Sequence, residues 1–555
     1  MKKGFTWIFM GILLSLASEG SAEKHRFSMT CKVDCVQNLF RTEEGRQEAI
    51  RWFRKHRIEK LYLESYRHGV SVDSSVLEEV KRGLEAAGLE VGGCITPTQM
   101  SQRKSTQWEI VTCFTDPTGL QFLKETVERT ARIFDFIILD DFLFHACTCE
   151  TCEEARQGRS WEAFRRDYML EVSRKWILEP ARAVNPKCQI IIKYPCWYEG
   201  YPERGYDVIR QTALFGISWA GTETREEGPP TQASWLQGWL NDVDEGICGG
   251  CWYDPLGTKP ETFVEQARQS ILGGARESLL HCYDYLATTD PGIAIHRGDE
   301  GVKYGRADAE AFRLEVDSLQ KMADLLAGME PYGVLVPKKP NDSPQQNVRY
   351  PGYVGMLGIP VLPSMKLRET PSFYLTLHSL PYENLENYLE KAMAEKKPFV
   401  VTYHLFRELP ASIQQKILGK RSLPENVGKE TAWIPLEEGR MVIYSRNYQE
   451  LMDLPQETLN ALRNTLLQPL GFSLEAPGRV SFHLFRSPHG KVEVLENFRS
   501  TPVTVTLTCH DSHPRKIFLA LPQKESAEIL SHENNVWKIR LQPRSLVVVE
   551  ALLQE

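Results

Sequence analysis

Residues Phe134–Arg156 read FDFIILDDFLFHACTCETCEEAR. An apolar run from Phe136 to Leu139 ends in two adjacent carboxylates, Asp140 and Asp141, and three cysteines follow within a dozen residues. So short an apolar run, bounded by polar residues, is the pattern of a buried strand. Seven more runs of this kind lie on either side of it: FSMTCKV (27–33), KLYLES (60–65), LEVGGCIT (89–96), CQIIIKY (188–194), GISWAGTE (216–223), ICGGCWYD (247–254) and ESLLHCYDY (277–285). Amphipathic segments separate them, so the order is that of successive βα units around a parallel sheet. Two of those segments show a capping-box pattern, Ser75 with Glu78 and Thr258 with Glu261. Eight such units in about 300 residues is the count of a (β/α)8 TIM barrel.

The rest of the chain divides around this barrel. Residues 1–22 carry Lys2 and Lys3, an apolar segment from Phe5 to Ala17 and small residues at 20–22, the layout of a cleavable secretory signal, and point to a secreted or periplasmic protein. The barrel is expected over 23–330. Between 331 and 470, YGVLVP, GIPVLP, SFYLTLHSL and KPFVVTYHL accompany the helical segment YENLENYLEKAMAEK and predict a flavodoxin-like α/β domain. From 471 to 555, RVSFHLFRSPHGKVEVLENF, TPVTVTLTCH and NVWKIRLQPRSLVVVEAL alternate short runs with turns and predict a β-sandwich. The formal net charge is −7, and no basic run is present, which excludes nucleic acid as a natural partner. After the leader no segment is long and apolar enough to cross a bilayer. The 13 cysteines are an odd number, so disulfides cannot pair them all.

Barrel chemistry sits at the C-terminal strand ends. Strand two closes on Glu64, Tyr66, Arg67 and His68; strand four on Asp140 and Asp141; strand five on Lys193, Tyr194 and Trp197. Strand six closes on Trp219, Glu223 and Arg225, strand seven on Trp252, Tyr253 and Asp254, and strand eight on His281, Tyr283 and Asp284. Aromatic rings stack on the apolar faces of sugars while carboxylates, Arg and His take the hydroxyls, so this rim suits a carbohydrate substrate and a glycosidase. A metal-dependent amidohydrolase would need a His pair after strand one, where MTCKVDC has none. A phosphate-binding barrel would need Gly-rich loops after strands seven and eight, where CWYDPLG and HCYDYLATTD carry rings and acids.

Cys147, Cys149 and Cys152 form a C-x-C-x-x-C spacing that lets three thiolates converge on one tetrahedral ion, with Cys113 as fourth ligand and His145 in reserve. A site closed by four cysteines would hold a structural zinc, and no organic cofactor is indicated. This cluster after strand four, followed by the aromatic-rich helix WEAFRRDYMLEVSRKWI, resembles glycoside hydrolase family 42. The resemblance implies zinc bound through four cysteines, the same three-domain order, and a second domain used in homo-oligomer contacts. At the catalytic positions the chain departs from that family, which has Asn-Glu after strand four and Glu after strand seven where this sequence has Asp140-Asp141 and Asp254.

A glycosidase needs one protonated and one ionised carboxyl across the sugar, and Asp140, Asp141, Glu223 and Asp254 are the candidates. The favoured arrangement pairs a strand-four Asp as nucleophile with Glu223 as acid. A strand-four acid with Asp254 as nucleophile follows the family-42 geometry. The adjacent Asp pair also resembles glycoside hydrolase family 84, where one Asp orients a substrate acetamide, and that implies an N-acetylhexosaminidase-like alternative. A non-catalytic carbohydrate-binding barrel would keep the aromatic rim and tolerate loss of the acids. Successive strand residues face opposite sides, so Asp140 and Asp141 can share a pocket only if the chain bends just after Leu139.

Overall fold

All eight β runs form strands in the computed structural model, which describes residues 24–226, 228–287, 302–342, 350–425, 427–511, 513–533 and 535–552. The segment with the leader pattern, residues 1–22, lies outside them. The strands are β1 (Arg26–Cys31), β2 (Ile58–Arg67), β3 (Glu90–Ile95), β4 (Phe136–Leu139), β5 (Gln189–Tyr194), β6 (Ile217–Gly221), β7 (Ile247–Tyr253) and β8 (Glu277–His281). Each pairs in parallel with the next, and β8 pairs back onto β1, so the sheet closes into a barrel. Helices connect the strands and cover the outside.

Register decides which side chains point inward, because residues matched across a parallel pair face the same side. Cys94, Ile138 and Ile191 lie in one row, and Lys193 is matched with Trp219 one step further along. The lumen is therefore filled by Tyr62, Cys94, Ile138, Ile191, Trp219, Trp252 and Leu279. Gly92 makes room for this packing: a Cβ there would lie 2.0 Å from the Phe136 ring. The intervening residues Ile137 and Leu139 join the larger core beneath the helices.

The helix starts differ from the capping-box reading. Helix Ser74–Ala86 begins after Asp73, and helix Pro260–Leu272 begins after Lys259, neither with a side-chain cap. Thr258 instead donates to the Pro255 carbonyl. Pro260 at the first helical turn explains the second case, because its fixed φ starts a helix without a cap.

The second sheet contains β9 (Val334–Pro337), β10 (Val361–Ser364), β11 (Phe373–Leu375), β12 (Phe399–Thr402), β13 (Ala432–Pro435) and β14 (Arg440–Tyr444). Its order is β10-β9-β11-β12-β14-β13, parallel except for β13, which is the doubly wound arrangement of a flavodoxin-like domain. The sequence shows no cluster of acids or histidines at its strand ends, yet the fold makes one: His378 Nδ1 lies 3.0 Å from Asp342 Oδ2, beside the buried Lys338. Apart from Val70–Ser71, which pairs antiparallel with the end of β2, the remaining strands form two antiparallel sheets that enclose an apolar core, a β-sandwich whose first strand is Phe472–Glu475. Glu330–Pro331 pairs with the edge of one of these sheets, so the chain touches the last domain before it builds the second.

Buried polar contacts join the three parts. In the barrel helix Thr231–Leu240, Trp235 Nε1 donates to the Val336 carbonyl at 3.2 Å and Trp239 Nε1 to the Lys338 carbonyl at 2.8 Å. Arg268, which is 1% exposed, bonds Glu315 at 2.6 Å and Glu496 of the sandwich at 3.0 Å. Removing one partner of a buried ion pair leaves a charge uncompensated. Arg268→Met is therefore expected to cost about 3–5 kcal/mol in denaturant unfolding, and an unchanged midpoint would assign the junction to apolar packing alone.

Candidate active site

A cavity of about 660 Å³ opens at the C-terminal end of the barrel. Asp140 continues the inward row of Cys94, Ile138 and Ile191, and the chain turns at Asp141–Phe142. That turn is the bend the pleat requires, and it brings both carboxyls to the cavity. Tyr206 anchors it by donating to the Asp141 carbonyl.

The four acids have different surroundings. Asp140 Oδ1 accepts from Lys193 Nζ at 2.7 Å and from the Asp141 amide at 3.1 Å. Its Oδ2 accepts from Arg67 Nη2 at 2.8 Å and from the Thr96 hydroxyl at 3.0 Å, the latter shared with Glu64. Burial pushes the Asp140 carboxyl up, but Lys193 and Arg67 outweigh it and hold it well below the usual carboxylate range. Asp141 has no side-chain hydrogen bond among the described residues, and burial followed by the Asp140 charge raises it to about 7. Glu223 is raised to about 8 by burial and then by Asp254 and Asp141, and its buried Oε2 has no partner among the described residues. Asp254 is raised by burial, with Arg225 acting against it; Arg225 Nη2 lies 3.1 Å from Oδ2, and the Leu256 amide bonds Oδ1 at 3.0 Å.

The cysteines stand beside this cavity. Cys113 lies in the loop after β3, Cys147 and Cys149 lie in the loop after β4, and Cys152 lies in the first turn of the helix Glu150–Arg156 that follows; all four Sγ atoms are within 4.8 Å of one another. Three of the separations are 3.5, 3.7 and 3.9 Å, close to the roughly 3.8 Å edge of a tetrahedron with 2.3 Å metal–sulfur bonds. All thirteen cysteines are free thiols, and these four could hold a metal ion. His145 Nε2 sits 3.4 Å from Cys152 Sγ, next to the group of four. The two tied loops also carry an aromatic wall, with Trp108 against Phe142 at 5.5 Å and Phe144 at 6.1 Å.

Residues 15–304, slightly more than half of the chain, match a family described as probable glycosyl hydrolase, catalytic domain. The chain belongs to that family. An uncharacterised protein of Saccharolobus solfataricus is 25% identical over 240 residues, which are 38% of this chain and 40% of that relative. Among solved structures, a β-galactosidase from Bacillus circulans sp. alkalophilus is 11% identical with a TM-score of 0.64, covering 96% of this chain and 99% of its own. A catalytic mutant of a GH42 β-galactosidase from G. stearothermophilus is 12% identical with a TM-score of 0.61, over the same shares. At these identities the likeness is one of fold, and it extends through all three parts of the chain.

Within this glycosyl hydrolase domain the strand-end residues separate by direction. Arg67, His68, Lys193, Trp197, Trp252 and His281 line the cavity with the four acids. Glu64 lies beneath it, fully buried, bonded to Arg67, Thr96 and the Val33 amide. Trp219 is one layer deeper, in the lumen. Tyr194 and Tyr253 face outward, to Thr212 and to Phe263, because each follows an inward residue. The β2–β3 register shifts between Glu64 and Tyr66, and Tyr66 turns out to the Thr98 carbonyl. Tyr283 and Asp284 belong to a short helix, Tyr283–Ala287, with Tyr283 packed on Phe40 and Phe53 and Asp284 bonded to the Lys32 amide.

The cavity also includes Lys32, Trp108, Phe144 and Tyr285, which the strand-end reading missed. Lys32 follows two residues after the inward Thr30 and was open to the same period-two argument, whereas Trp108 sits in a loop with no periodic signal. The Asp140 pairings give the site a distinct acid response. A depressed carboxyl adds stability above its unfolded value, about 3.9, and loses it as pH falls through its folded value. Wild type should melt higher than Asp140→Asn at neutral pH, with the gap closing below about pH 3.9. A gap independent of pH in calorimetry would refute this account of Asp140.

Proposed function

We propose that the chain is a glycosidase in which Asp141 is the general acid and Asp254 the ionised carboxylate on the other side of the sugar. The observation that carries this reading is the division of the four acids around one cavity. Asp140 has two donors on each oxygen, which fill its four acceptor sites, and cannot attack or take up a proton without breaking one of them. Asp141 is unpaired and raised to about 7, as a proton donor working near neutrality requires. Asp254 is steadied by Arg225 and the Leu256 amide yet keeps acceptor capacity for the reaction. In the reaction the Asp141 proton passes to the glycosidic oxygen as its bond to the anomeric carbon breaks, while Asp254 meets the positive charge that develops there. Glu223, protonated beside Asp254, is placed to donate a hydrogen bond to the sugar. The locked Asp140 weighs against the arrangement in which one of an adjacent pair orients an acetamide.

Asp141→Asn should lower kcat by roughly three decades on substrates with poor leaving groups and much less on activated aryl glycosides, which need no protonation. Asp254→Asn should lose activity on both. In wild type, kcat/KM should fall as pH rises above about 7, where Asp141 gives up its proton. If leaving-group dependence appears in Glu223→Gln and not in Asp141→Asn, the acid belongs to β6. Near-normal turnover in all the acid variants would favour a carbohydrate-binding barrel.

We also propose that Cys113, Cys147, Cys149 and Cys152 hold a structural zinc. Four thiolates leave no open position, so a bound zinc would supply folding free energy and tie the loops after β3 and β4. Purified protein should contain about one zinc per chain, and Cys149→Ser should lose it together with thermal stability. Metal-free protein of normal stability would overturn this. The leader pattern supports export, and the second domain is proposed to carry homo-oligomer contacts, which light scattering would test.

A further inference from the structure

The cavity contains a cation that no group among the described residues pairs with directly. Lys32 follows β1, whose inward row passes through Thr30, matched with Tyr62 on one side and His281 on the other. Two residues further on, the Lys32 side chain points the same way, to the floor of the cavity. The residue is 1% exposed, and its Nζ has no hydrogen-bond acceptor among the described residues. The Tyr285 ring lies 4.1 Å from it on one side. Asp284, the adjacent acid, uses Oδ2 to accept from the Lys32 main-chain amide at 3.1 Å and forms no ion pair with the ammonium.

The other cations of the cavity are differently placed. Lys193 bonds Asp140, Arg67 bonds Asp140 and Glu64, and Arg225 bonds Asp254. Burial lowers the Lys32 ammonium, but Cys282, Asp284 and Tyr285 together raise it above the ordinary lysine value, so it stays charged. A buried ammonium is costly without an acceptor, and an anion compensates its charge where a sugar hydroxyl supplies only a hydrogen bond. Asp141 and Glu223 do not compete for that role while protonated.

We propose that Lys32 binds an anionic substituent, a carboxylate or a sulfate ester, on the sugar in the cavity, which makes acidic saccharides the substrate class. This rests on the glycosidase reading for turnover but not for binding, and the two can fail separately. The test is calorimetric binding of uronates and monosaccharide sulfates against their neutral parents in the gluco, galacto and manno series. It uses wild type, Lys32→Met and Lys32→Arg, with aryl glycosides of the same sugars assayed in parallel.

In wild type at least one acidic sugar should bind tenfold or more tighter than its neutral parent. Lys32→Met should remove that preference, weakening the acidic sugar at least tenfold more than its neutral parent, and Lys32→Arg should retain most of it. Preference for the uronate or for the sulfate identifies which anion is read. Equal binding of acidic and neutral sugars by wild type overturns the proposal, whether or not Lys32→Met folds, and so does a preference that survives in Lys32→Met. Turnover of neutral glycosides with no acidic preference would leave the glycosidase reading standing alone. Acidic-sugar binding without any turnover would do the reverse.

Discussion

A carboxylate with two donors on each oxygen can neither bind substrate nor take up a proton without breaking a bond, and Asp140 is in that state. Its position depends on contributions from three strands: Arg67 closes β2, Thr96 follows β3, and Lys193 stands near the end of β5. The charge fixed there acts on its neighbour. Because Asp140 stays ionised, Asp141 titrates in a negative field as well as a buried one, and a side chain that would ordinarily be ionised can keep its proton near neutrality. The ion cluster thus supplies the electrostatic setting for the acid beside it.

Architecture was readable because each barrel strand is a compact apolar run with a polar end, and all eight fall within a few residues of their expected bounds. The second and third parts were readable for the same reason. Helix starts were harder, since a Ser or Thr three residues before a Glu fits a cap equally well one or two residues away from the actual one.

Strand ends gave a list of residues, and the pleat divides that list. Lys193 and Tyr194 are neighbours in sequence, yet one enters the cavity and the other packs beneath a helix. The same alternation separates Trp252 from Tyr253. Applied at every strand, it would have removed the outward tyrosines and added Lys32 from the sequence alone. It could not have found Trp108, whose place depends on a loop fold with no period, or the fate of Tyr283, which depends on β8 ending at His281. Nor could it have divided the four acids, because that depends on partners as distant in sequence as Arg67 and Asp140.

The two indole N–H groups of helix Thr231–Leu240 bond carbonyls in and just after β9, and in doing so they limit how the gene can be cut. A fragment ending at residue 330 would keep all eight barrel strands but expose Trp235, Trp239 and Arg268, each now 1% exposed or less. Two large aromatic faces would then meet water on a surface never shaped for it, and Arg268 would keep Glu315 but lose Glu496, favouring self-association over solubility. Recombination that swaps this barrel between proteins must therefore carry the following domain with it or replace both tryptophans.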